Sequence, residues 1–123
     1  MADAEEMVAF SCPGGGKDST SSSRPIDLAY LGRQTMGDRA LEEEVLRLFV
    51  QQLATVGVRI EDSDMAERQR LAHTLRGSAA GIGAFTLSES AAQIEASPDD
   101  MGLITKLSVL IAETRDFIAT INR

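Results

Sequence analysis

The amino-acid sequence predicts an all-α protein: an up-and-down antiparallel four-helix bundle with a short additional N-terminal helix. Apolar residues recur at helical spacing over several long stretches. Strand signals are weak, with no sustained Val/Ile/Thr/Tyr alternation between tight turns. Aromatic residues make up only 4% of the chain and tryptophan is absent. The core must therefore be built from Leu, Ile, Val, Ala and Met, which suits helix-on-helix packing. A length of 123 residues allows one such domain and a tail.

Residues 1–24 stand apart. Ser11-Cys12-Pro13-Gly14-Gly15-Gly16 and Lys17-Asp18-Ser19-Thr20-Ser21-Ser22-Ser23 offer little to bury and read as a flexible tail, with a sorting or docking peptide as the sharper alternative. The domain is expected over 25–123. Pro25, Ile26, Leu28, Tyr30 and Leu31 suggest a short helix starting near the proline and ending around Gly37. Asp38 reads as the N-cap of the next helix, whose apolar stripe is Leu41, Val45, Leu48, Phe49, Leu53, Val56 and Ile60. Leu46 and Val50 sit off that stripe, under the first helix or in an apolar docking patch.

Asp62-Ser63-Asp64 breaks the pattern and caps a third helix from Met65 to about Gly81, ended by Gly81 and Gly83. A fourth runs from about Thr86 to Ala96 with Leu87, Ala91 and Ile94 inward. Ser97-Pro98-Asp99-Asp100 closes it and caps the last, which carries Leu103, Leu107, Leu110, Thr114, Phe117, Ile118 and Ile121 on one face. Short connections between amphipathic helices make sequential neighbours antiparallel.

A formal net charge of −7 argues against nucleic acid, which requires a concentrated basic surface. The single cysteine, Cys12, excludes an intrachain disulfide and a thiolate metal cluster. No apolar run approaches the roughly 20 residues that span a bilayer, and the acidic N-terminus does not resemble a secretory signal. A cytoplasmic, monomeric protein is expected, and an initiator Met1 with a free tail favours one that stands alone.

The informative stretch is Leu71-Ala72-His73-Thr74-Leu75-Arg76-Gly77-Ser78-Ala79-Ala80. At about 100° per residue, Leu71, Leu75, Ala79 and Ile82 share one side of the helix. His73, the only histidine, lies opposite, with Gln69, Arg70, Arg76, Gly77 and Ala80 around it. Gly77 costs about 1 kcal/mol relative to alanine inside a helix. At i+4 from His73 it removes the side chain over the imidazole and lets another protein approach. Arg76, at i+3, offers a positive charge and two donors to a phosphoryl group on that ring. Ala80 and Gly81 keep the surface low. Near neutral pH an unperturbed imidazole is often uncharged, so a ring nitrogen can act as nucleophile. A phosphate-binding G-x-x-x-x-G-K-[ST] loop is missing, and Gly14 to Gly16 lie in the tail with no strand before them. The chain is therefore expected to hold no ATP site, to need a partner for the donor phosphate, and to be a carrier rather than an enzyme.

The run His73-Thr74-Leu75-Arg76-Gly77-Ser78-Ala79-Ala80-Gly81-Ile82-Gly83-Ala84 resembles the signature of histidine phosphotransfer domains of two-component phosphorelays, roughly H-x-L-[KR]-G-[SA]-A with a later glycine. The helix order from about Ile26 to Asn122 is similar to the family's. The resemblance implies a bundle whose second helix carries a phosphorylated histidine, His73, with Arg76 as its basic residue and Gly77 as the close-approach position. It further implies relay between phospho-aspartates of receiver domains, with response-regulator receivers or a hybrid sensor histidine kinase as partners. No cofactor is expected on the chain itself, and Mg²⁺ is expected on the receiver. Gln69, Arg70, Ala80 and Gly81 are candidate partner contacts. Arginine stands where lysine is commoner, and Gly81 where asparagine is common. Both departures bear on phosphohistidine lifetime or partner choice. Two alternatives stay open: an adaptor that binds receivers or kinases without being phosphorylated, and an enzyme using His73 as a general base.

Overall fold

A computed structural model describes residues 24–121. Among them are five helices: α1 (Leu28–Gln34), α2 (Arg39–Arg59), α3 (Met65–Ile82), α4 (Phe85–Ala96) and α5 (Met101–Ile121). The reading of 1–24 as a tail falls, except for Arg24, outside the described residues.

Side-chain caps set most helix starts. Asp27, Asp38 and Asp64 each accept a hydrogen bond from the backbone N–H three residues on, namely Tyr30, Leu41 and Glu67, which satisfies donors that the first helical turn leaves unpaired. Asp100 accepts from the backbone N–H of Gly102, two residues on, at the start of α5. Helix α1 begins after Asp27, close to Pro25 as expected, and the Asp27 backbone N–H donates to Gly83 O (2.9 Å) from an extended backbone. Helix α3 ends one residue beyond Gly81. Gly83, at φ +90°, is its left-handed cap, and a Cβ there would lie 3.0 Å from Asp27 O. The short α1 is thereby fastened to the α3–α4 corner, where Tyr30 also meets Phe85 edge-on at 5.0 Å between ring centroids.

The four longer helices close a ring in which α3 packs on α2 and α4, and α5 on α4 and α2. Inside lie Leu46, Phe49, Leu53 and Val56 of α2, Leu71, Leu75 and Ala79 of α3, Leu87, Ala91 and Ile94 of α4, and Ile104, Leu107, Ile111 and Ile118 of α5. This is the antiparallel bundle the periodicity predicts. The buried stripe of α2, however, is rotated from the expected one. Leu46 is core, whereas Leu41 and Leu48 are 44% and 51% exposed. Apolar residues occupy two overlapping stripes on α2, and contact with α3 and α5 selects one. In α5 the fully buried face includes Ile104 and Ile111, while Leu103, Leu110, Phe117 and Ile121 flank it, half-buried.

No helix among the described residues is long and apolar enough to cross a membrane. Among them, too, no group of three His, Cys, Asp or Glu side chains is placed to hold a metal ion.

Candidate functional site

Helix α3 has a buried side and an open side. Leu71, Ala72, Leu75, Ala79 and Ile82 face the core, so the 100° advance per residue turns His73 outward, and its side chain is 62% exposed. Gly77 remains within the helix, and a Cβ built there meets nothing within 4 Å. Gly81 is equally open. The surface following His73 along α3 is therefore bare of side chains at both glycines, with Ala80 half-buried beside them.

The residue that the sequence left unnoticed is Glu95, in the last turn of α4. Its Oε2 lies 2.7 Å from His73 Nδ1, and its Oε1 lies 3.1 Å from Arg76 Nη1. Arg76 Nη2 also stands 3.4 Å from His73 Nδ1. These contacts compete, because one ring nitrogen cannot both donate to a carboxylate and accept from a guanidinium. The Glu95 contact is shorter by 0.7 Å, and an ionised carboxylate only accepts. The shorter contact assigns the proton to Nδ1, as donor to Glu95. In the uncharged form of the ring that assignment puts the lone pair on Nε2, the nitrogen not engaged by Glu95.

Two further bonds hold this arrangement. Gln69 Nε2 donates to the Glu95 backbone carbonyl (3.1 Å), and Ser88 Oγ donates to Arg76 O (2.9 Å), each joining α3 to α4. Gln69 thus supports Glu95 as well as facing solvent. Arg70 is drawn away from the histidine. Its guanidinium pairs with Glu67, which also takes Arg59 at 2.9 Å. Charge-assisted bonding to Arg70 lowers the Glu67 carboxyl below its ordinary range, and the same bond raises Arg70. On the other flank of α3, Ser78 and Ile82 line a shallow groove with Val45, Leu48, Phe49 and Gln52 of α2.

An exposed imidazole with one nitrogen engaged by a carboxylate, a neighbouring guanidinium and a side-chain-free approach is suited to carrying a group delivered by another macromolecule. The family comparison agrees: the profile of the histidine phosphotransfer (Hpt) domain matches residues 39–122. The chain belongs to the Hpt domain family. The match spans α2 to α5, the complete four-helix ring. Hpt domains are phosphocarriers of two-component phosphorelays, and their partners are receivers or kinases. A phosphotransfer role in two-component signalling follows for this chain in general terms. Neither the curated proteins nor the solved structures supply a match.

Proposed function

We propose that this Hpt domain relays a phosphoryl group between phospho-aspartates of receiver domains through phosphohistidine at His73. The observation that carries the reading is the His73–Glu95 contact on a glycine-cleared face, which leaves Nε2 as the nucleophile. In the forward step the Nε2 lone pair attacks phosphorus while the bond from phosphorus to the partner's aspartyl oxygen breaks, and the carboxylate departs with that electron pair. In the reverse step a carboxylate of a second receiver attacks phosphorus, and the pair of the P–N bond returns to Nε2. Arg76 meets the charge of the phosphoryl oxygens. Gly77 gives the receiver its line of approach, and Gly81 and Ala80 extend the flat surface. Mg²⁺ belongs to the receiver, which completes the chemistry, and the chain itself acts as carrier rather than enzyme. Docking is by a modest surface around His73, with Gln69 and Arg70 on its polar rim.

The test is incubation with a receiver domain labelled on its aspartate, in the presence of Mg²⁺. The wild-type chain should take up acid-labile label and His73→Gln should take up none. Label that never appears on the wild type, or appears equally on both, would overturn the proposal.

A further inference from the structure

The charges nearest His73 come from two helices. Its charged neighbours are Arg76 on its own helix and Glu95 from α4. Arg70, one turn away, is held by Glu67. Among the described residues no ion pair brings a charge from α2 or α5 to the ring. The Glu95 carboxylate is only partly satisfied. Oε1 is enclosed and near Arg76, yet makes no hydrogen bond of acceptable geometry.

We infer that Glu95 keeps the Nδ1 proton on the ring after Nε2 has been phosphorylated, and so maintains phosphohistidine in the form that gives up its phosphoryl group. This inference rests on the carrier reading. Attack by Nε2 on phosphorus leaves the ring with Nδ1–H and a delocalised positive charge. Glu95 neutralises that charge at 2.7 Å, and no proton has to leave. Arg76 turns to the new phosphoryl oxygens, which frees Glu95 from its second cation and strengthens its hold on the ring proton. On discharge an oxygen nucleophile attacks phosphorus, the P–Nε2 bond breaks, and its electron pair stays on Nε2. The leaving group is then neutral imidazole with Nδ1–H intact. Were the proton lost first, the leaving group would be imidazolate, a far poorer one. Glu95 is in this sense a positioning residue, acting on phosphorus only through the ring.

The experiment uses the full chain charged with phosphoramidate, which needs no cognate partner. Loss of the phosphoryl group to water is followed by ³¹P NMR across acid to mildly alkaline pH. Water attacks phosphorus, inorganic phosphate leaves, and the surplus proton passes to solvent. Glu95→Gln keeps the size and an acceptor but removes the charge. In the variant, discharge should slow at a lower pH than in wild type, with phosphohistidine about tenfold longer-lived near pH 8, the effect expected of one opposite charge in contact. The two should converge in acid, where the ring proton is present in both. Superimposable pH profiles would overturn the inference while leaving the carrier reading intact. A wild-type chain that takes no phosphoryl group on His73 would overturn both. Thermal melts of the two proteins, expected to coincide, show that a difference in profile does not come from unfolding.

Discussion

Arg68 donates from Nη1 to the carbonyl of Pro98 at 2.7 Å, joining residues thirty apart in sequence. Its Nε and Nη2 donate to the carbonyls of Ile60 and Glu61 at 2.9 and 2.7 Å. One buried guanidinium thereby ties the α2–α3 connection to the α4–α5 connection at the end of the bundle away from α1. Replacing it with methionine keeps most of the volume and leaves three carbonyls to find other partners. Arg68→Met should lower stability by about 3 kcal/mol, which urea unfolding would measure. Arg68→Lys should recover only a part, since one ammonium cannot satisfy the same fork. Both should still accept phosphoryl label below their melting temperatures, because His73 lies on the outward face of α3.

Substitution at Gly77 should separate stability from function. Its position is helical and open, so Gly77→Gln should raise stability by up to about 1 kcal/mol, a gain of roughly 5 °C in melting temperature for a domain of this size. The same side chain would stand over the imidazole, and transfer from a phosphorylated receiver should fall sharply. A variant that melts higher and transfers normally would show that the glycine clears nothing the partner needs.

The two glycines at the end of α3 should respond oppositely to alanine. Gly81→Ala adds a methyl group in free space on a helix and should stabilise by about 0.5–1 kcal/mol. Gly83→Ala must hold φ near +90° with its Cβ 3.0 Å from Asp27 O. That substitution should cost about 2 kcal/mol and loosen α1 from the corner it covers. Circular-dichroism melts of the pair would check the contrast.

The Glu67 cluster sets a pH dependence whose sign follows from the shift. Its carboxyl is lowered by Arg70, so the ionised form is favoured more in the folded chain than in the unfolded one. The resulting stability is present above the ordinary carboxylate range and is lost as pH falls through the lowered folded value. Glu67→Gln should therefore be the less stable protein near neutral pH, and the difference from wild type should close in acid. Added salt should narrow it at neutral pH, since the pairs are solvent-accessible.

Most of the bundle was legible because helices announce themselves locally. Asp38 and Asp64 cap where their position before an apolar period says they should, and Leu87, Ala91 and Ile94 point inward as spaced. Residues that act across helices were not legible. Glu95 is one of many acidic residues, twenty-two positions from His73, and carries no periodic signal. Arg68 shares the wheel face of Leu71 and Leu75, so the repeat turns it inward, but the repeat does not show the three carbonyls that receive its guanidinium. Leu46 and Leu48 both lie on apolar rows of α2, and a row becomes core only when another helix covers it.

The sequence by itself determined that His73 faces outward. The helical repeat alone sets it opposite Leu75 and Ile82, and Arg76 and Gly77 are placed beside it by the same repeat. Tertiary structure alone decided which nitrogen of that histidine is free. A helix wheel carries no information about what a neighbouring helix brings. Only when α4 packs on α3 does the Glu95 carboxylate meet Nδ1 and leave Nε2 as the nitrogen without that partner.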